Sequence, residues 1–221
     1  MKNILVSILS VEDKVGAIAK LKETGVGVHL DIMDGKFVKP LGVKLDIVQS
    51  VKQNNLFCDV HLMVSKPLED GYISKSLDLG ADSITIHYEI EEFERLLRFL
   101  LLEKNKRMHE GRNLEIGVAI NPKTSIDVLT RFYKLIDKVL VMSVEPGYGG
   151  QKYIESTDMK IDKIKKQFGI KVEVDGGINK EIIKKDVMKY VDDFVIGSYI
   201  TGSDNMKERI NLIREEIKWK K

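Results

Sequence analysis

Four residues of this 221-residue chain have the types and spacing of a metal site: His29, Asp31, His61 and Asp175. His29 and Asp31 stand at i, i+2 near the end of an apolar run, so in a strand both side chains point to the same side. His61 and Asp175 close two further runs. Two imidazoles and two carboxylates brought to one point would suit one divalent transition metal, Zn, Fe, Mn or Co. Taken singly, each has a plainer reading, since a strand-end histidine is usually a hydrogen-bonded structural residue and Asp before Gly usually forms a turn. Their joint placement gives them weight. His87 ends another run without an inward partner at i+2, and is expected beside the site. His109 sits in the charged stretch from Lys104 to Arg112 and is expected at the surface.

A second group of residues suits an anion. Gly147, Tyr148, Gly149 and Gly150 follow one apolar run, Gly176 and Gly177 another, and Gly197 and Ser198 a third. Glycine lets backbone N–H groups approach a phosphate closely, although any one pair could be only a tight turn. Met33, Met63 and Met142 stand at or just past run ends. Methionine is ordinary core filling, but here it could also cap a site with polarizable atoms that carry no exchangeable proton.

The elements that must position these residues are legible as periodicity. Eight runs rich in Val and Ile recur: Ile4 to Leu9, Val26 to Ile32, Phe57 to Met63, Ser83 to His87, Glu115 to Ile120, Lys138 to Ser143, Lys171 to Asp175 and Asp193 to Gly197. Helical patterning rich in Lys and Glu separates them, which predicts alternating β and α units. Runs as continuous as Val139, Leu140, Val141, Met142 predict parallel strands covered on both faces. An open dinucleotide-binding sheet should carry a glycine fingerprint after its first strand. Ser10, Val11, Glu12 and Asp13 stand there instead. The predicted class is therefore α/β, a (β/α)8 TIM barrel, with residues 1–221 as one catalytic domain. In such barrels the site lies at the C-terminal strand ends, where the four metal-site residues, the glycine loops and the three methionines fall, and the loops after strands seven and eight commonly bind phosphate.

Composition excludes little and favours the ordinary. A hydrophobic share of 43% with 32% charged residues fits a globular chain, and a net charge of +2 points to no nucleic acid. Lys218, Lys220 and Lys221 form a short basic tail, read as a solvated helix end. Cys58, the single cysteine, excludes an internal disulfide; lying in Leu56-Phe57-Cys58, it reads as a packed core thiol. The block Leu96 to Leu102 is far too short for a membrane span and reads as a buried helix face. No secretory cleavage signal follows the N-terminal run, so the cytoplasm is the expected location.

Longer segments carry a family resemblance. His29-Leu-Asp31-Ile-Met33-Asp34-Gly35-Lys-Phe37-Val38, Asp59-Val-His61-Leu-Met63-Val64, Met142-Ser-Val-Glu-Pro146-Gly147-Tyr-Gly149-Gly150-Gln151 and Glu173-Val-Asp175-Gly176-Gly177-Ile178-Asn179 resemble the ribulose-phosphate 3-epimerase family. Ser7-Ile8-Leu9-Ser10 and Asn121-Pro122-Lys-Thr124 are similar to it too, so the likeness runs from residue 4 to about residue 200. It implies reversible epimerisation of D-ribulose 5-phosphate and D-xylulose 5-phosphate at C3, in the pentose phosphate pathway. It further implies one divalent metal on His29, Asp31, His61 and Asp175, with Asp31 and Asp175 as the acid/base pair. Ser7, His61, Gly147 to Gly150, Gly176, Gly177, Gly197 and Ser198 match its substrate-contacting positions, and a homo-oligomer, dimer or hexamer, would be usual. Lys39, Pro40, Leu41 and Gly42 replace the family's usual continuation after the second strand, as Ser10, Val11 and Glu12 do after the first, and Lys104 to Asn113 extends the fourth helix with charge. Two alternatives stay open. One is an epimerase acting on a ketohexose phosphate such as allulose 6-phosphate; the other is a metal-free phosphate-binding barrel.

Overall fold

The structure, a computed structural model, describes residues 2–218. Lys220 and Lys221 of the basic tail lie outside the described residues.

Runs of β-branched residues form the eight strands β1 (Asn3–Ser7), β2 (Gly27–Met33), β3 (Cys58–Met63), β4 (Ser83–His87), β5 (Glu115–Ile120), β6 (Lys138–Met142), β7 (Lys171–Asp175) and β8 (Asp193–Ile196). Each pairs in parallel with its neighbour in sequence. β8 then pairs with β1, Asn3 against Asp193 through Val6 against Ile196, which closes the barrel. Closure abolishes the unpaired edge an open sheet would expose. The predicted strands hold, with ends shifted by one or two residues: β1 stops at Ser7 rather than Leu9, and β6 at Met142.

Helices α1 (Lys14–Leu21), α2 (Ile47–Gln53), α3 (Tyr72–Asp78), α4 (Phe93–His109), α5 (Thr157–Phe168), α6 (Lys180–Ile183), α7 (Ser198–Thr201) and α8 (Met206–Lys218) follow in chain order. Asp13 caps α1 by accepting the Gly16 N–H at 2.9 Å, and Gly169 ends α5 in the left-handed region. α8 buries Ile210, Ile213 and Ile217, one stripe at helical spacing, on the barrel wall. At about 1.5–3 kcal/mol per fully buried aliphatic side chain, such stripes hold the outer layer in place. The pattern departs from expectation after β5, where Ile126–Arg131 forms only a 3-10 helix, and after β7, where the four-residue α6 is followed by a 3-10 turn, Asp186–Tyr190. In α4, Leu96, Leu97 and Leu100 are buried but Leu102 is exposed, so the apolar block is one face and not a wholly buried segment. No helix of the described residues is long and apolar enough to cross a membrane.

The main apolar core fills the space between strands and helices, and includes Cys58. Inside the barrel the apolar cluster is small, Ala119, Leu140, Met142 and Val144. Charged and polar side chains occupy much of the rest.

Candidate active site

Three strands each carry two polar residues at i, i+2: His29 and Asp31 on β2, Asp59 and His61 on β3, Glu173 and Asp175 on β7. Period-two alternation sends both members of a pair into the barrel, the second nearer its C-terminal mouth. Register aligns the pairs, Asp31 opposite His61 and His29 opposite Asp59. His29, Asp31, His61 and Asp175 thereby converge, each offering a ligand atom within 4.8 Å of the others. Asp31 is the hub: its Oδ1 lies 3.3 Å from His61 Nδ1 and 3.4 Å from His29 Nε2. Its Oδ2 accepts the Ser7 hydroxyl at 2.8 Å.

The ring orientations are fixed from behind. His29 Nδ1 lies 2.6 Å from Asp59 Oδ2, which leaves Nε2 facing the cluster. That nitrogen is buried without a hydrogen-bond partner. A buried polar atom left unpaired is costly unless something binds it. Two hard carboxylates, one borderline imidazole nitrogen without a partner and a second imidazole are a donor set that fits a divalent transition metal. His29, Asp31, His61 and Asp175 are therefore the residues that could hold one.

The electrostatics agree. Burial opposes charge on Asp31, but the His29 and His61 rings hold its carboxyl well below the usual range. Burial, and then the negative charge of Asp31, push Asp175 up to about 7 in the protein alone. Two neighbouring carboxylates with unlike proton affinities are what acid/base exchange needs, and a cation between them relieves their repulsion. Burial takes His61 down to about 4.

Above the cluster opens a cavity of about 550 Å³. Ser7, Asp31, Met33, Met63, Met142, Gly147, Tyr148, Gly149, Gly150, Asp175, Gly176, Gly177, Gly197 and Ser198 all line it. His29 and His61 do not, since both are fully buried and reach the cluster with one nitrogen. Met33, Met63 and Met142 are buried, while Tyr148 is largely exposed at the rim. Gly177 is left-handed (φ 66), and a Cβ there would collide with the Tyr153 backbone, so only glycine fits.

Beneath the cluster lies what the sequence did not announce. Lys138, with no exposed surface, puts Nζ 2.7 Å from Asp59 Oδ1 and also bonds Glu173 Oε2. Burial disfavours the ammonium, yet Asp59 and Glu173 raise its pKa above the ordinary lysine value. Burial and the Asp59 charge push Glu173 up to about 8. The available signal was a charged residue opening an otherwise apolar strand, Lys138 before Val-Leu-Val-Met. His87 is buried against His61, and His109 is exposed as expected.

Residues 3–201 match the model of the ribulose-phosphate 3 epimerase family. The chain belongs to that family. The ribulose-phosphate 3-epimerase of Bacillus subtilis is 35% identical over 194 residues, 85% of each chain. That of Encephalitozoon cuniculi is 33% identical over 223 residues, 98% of this chain and 95% of the relative, and that of Chlamydia trachomatis 32% over 208, 89% and 84%. By family, then, the chain is an epimerase. Among solved structures, KGPDC from Streptococcus mutans overlays with a TM-score of 0.70 at 18% identity, covering 99% of this chain and 98% of that one. The 3-hexulose-6-phosphate synthase from Salmonella typhimurium overlays with 0.66 at 16%, covering all of both chains. At these identities the overlays establish the barrel alone.

Proposed function

We propose that this epimerase interconverts D-ribulose 5-phosphate and D-xylulose 5-phosphate by inversion at C3, as one catalytic domain with one divalent metal. The observation that carries this reading is the placement of Asp31 and Asp175. They stand on β2 and β7, strands separated by β1 and β8, and both face the same cavity. Inversion next to a ketone requires removing the C3 proton from one face and delivering a proton to the other, through an enediolate. Two carboxylates on different walls meet that requirement, one taking the proton as base while the other donates as acid. In the reverse direction the roles exchange. A divalent ion held by His29, Asp31, His61 and Asp175 would supply a Lewis acid that favours negative charge on the substrate oxygens.

The remaining residues bind and shield. Ser7 orients Asp31 through its hydroxyl. Met33, Met63 and Met142 cover the reacting carbon with side chains that offer no exchangeable proton, which keeps water from protonating the intermediate unselectively. Gly176, Gly177, Gly197 and Ser198 present backbone N–H groups for the phosphate, with Gly147, Tyr148, Gly149 and Gly150 closing over it. A homo-oligomer and a cytoplasmic location belong to the same reading.

The test is turnover of ribulose 5-phosphate in heavy water, beside allulose 6-phosphate. Solvent deuterium at C3 of the product, with the pentulose turned over faster, is the expected result. Product free of solvent hydrogen would rule out the two-carboxylate mechanism, and faster turnover of the hexulose would move the enzyme to that substrate.

A further inference from the structure

His87 and Glu89 do not line the cavity, yet they continue the cluster outward behind His61. His61 Nε2 lies 2.9 Å from His87 Nε2, and His87 Nδ1 lies 3.1 Å from Glu89 Oε2. The other Glu89 oxygen accepts the Asn121 N–H at 2.9 Å and the Thr124 hydroxyl. Both imidazoles are fully buried and stacked, with 4.9 Å between centroids, and Phe37 packs on His87 at 4.8 Å. Both rings are thus closed off from water, while the Glu89 side chain is partly exposed at the outer end.

Two neutral imidazoles that meet nitrogen to nitrogen share one proton between them, so the tautomer of one dictates that of the other. Two carboxylates compete for the two ring protons, Glu89 Oε2 at 3.1 Å from His87 Nδ1 and Asp31 Oδ1 at 3.3 Å from His61 Nδ1; the closer contact, and the Ser7 hydroxyl that Asp31 already accepts, place the His87 proton on Nδ1. His87 Nε2 is then a lone pair, and the His61 nitrogen facing it must be the protonated one. This leaves His61 Nδ1 as a lone pair, 3.3 Å from Asp31 Oδ1 and inside the cluster. We infer that Glu89 and His87 are positioning residues that select the His61 tautomer able to ligate a divalent ion through Nδ1. The inference rests on the reading of His61 as a ligand. His29 reaches the same end with one step fewer, its Nδ1 held directly by Asp59. Carboxylates that orient a ligating imidazole are a general device of metal sites, and their loss weakens binding.

The diagnostic variant is Glu89→Gln, because an amide cannot accept on both sides. If its oxygen stays on Asn121 and Thr124, its NH2 faces His87 Nδ1 and donates, and the whole chain reverses. His61 then carries its proton on Nδ1, pointing at Asp31. Two measurements read this out on the full chain. One is the histidine ¹⁵N shift pattern of metal-free protein near neutral pH, which reports the His61 tautomer directly. The other is Zn²⁺ affinity by competition with a chromophoric chelator. Expected are an Nε2-protonated His61 in wild type, an Nδ1-protonated one in Glu89→Gln, and a loss of Zn²⁺ affinity of roughly 10- to 100-fold. His87→Leu, which removes the acceptor, should lose affinity likewise, and His87→Gln, which keeps an amide oxygen for His61, should bind Zn²⁺ more tightly than His87→Leu. If Glu89→Gln does not fold, the two His87 variants decide. An Nδ1-protonated His61 in wild type, or wild-type affinity in Glu89→Gln and His87→Leu, overturns the inference. Wild-type protein that binds no Zn²⁺, or His61→Asn that binds it as wild type does, overturns instead the ligand reading.

Discussion

Lys138 Nζ stands 2.7 Å from Asp59 Oδ1 inside the barrel, with neither side chain exposed. Asp59 in turn holds His29, so a cation at the start of β6 supports a ring of the cluster on β2. A buried ion pair adds little net stability, but removing one partner leaves the other charge uncompensated. Lys138→Met should therefore cost about 3–5 kcal/mol in chemical denaturation. Lys138→Met/Asp59→Asn, which removes the carboxylate left uncompensated, should recover part of that loss. Equal stability of wild type and Lys138→Met would show that the cluster is not bearing charge.

Asp31→Asn and Asp175→Asn test the acid/base pair. Both keep shape and remove the exchangeable charge, so each should cut kcat by roughly a hundredfold to ten-thousandfold while circular dichroism stays that of the folded barrel. Because each reaction direction needs both groups, neither variant should retain one direction selectively. Retention of substantial turnover by either variant would remove that aspartate from the mechanism.

Metal removal should abolish turnover, and Zn, Mn, Co or Fe should restore it. The same ions should raise the melting temperature, since a ligand that binds only the folded state at 100-fold its Kd adds about 2.7 kcal/mol. Asp175→Asn, which lacks one ligand, should show a smaller rise. Full activity of stripped enzyme would sink the metal proposal.

Asp34, just beyond β2, predicts a pH dependence away from the metal cluster. Its carboxylate accepts N–H groups of Lys36 at 2.8 Å, Phe37 at 2.9 Å and Ser65 at 2.7 Å. Burial works against the charge, but these bonds, led by that from Ser65, hold its pKa below the ordinary value. A depressed carboxylate contributes stability above the unfolded-state pKa of about 4, and loses it as pH falls through the folded value. Protection of the Ser65, Lys36 and Phe37 amides, taken relative to the intrinsic exchange rate, should fall on acidification below about pH 4. In Asp34→Asn that acid-dependent step should vanish.

Much of the barrel was already written in the chain. The eight runs placed every strand to within a residue or two, because parallel strands covered on both faces must be almost uniformly apolar. The helix after β5 failed, since Ser125 caps only a short 3-10 turn and tertiary packing needs no more there. His29 and Asp31 were legible because i, i+2 spacing fixes a shared side whatever the strand's neighbours.

The sequence by itself determined the polar residues at strand ends, the glycine rims and the family. Closure of the barrel decided the rest. Pairing of β8 with β1 brings β7 near β2, so that Asp175 meets Asp31 across a gap of 144 positions in the chain. Only that closure could reveal that Lys138 bonds both Asp59 and Glu173 under the site, or that His87 and Glu89 stand behind His61. The physical reason is that strand periodicity reports the side to which a residue points, whereas the partner it meets across the barrel depends on register and shear that no local pattern encodes.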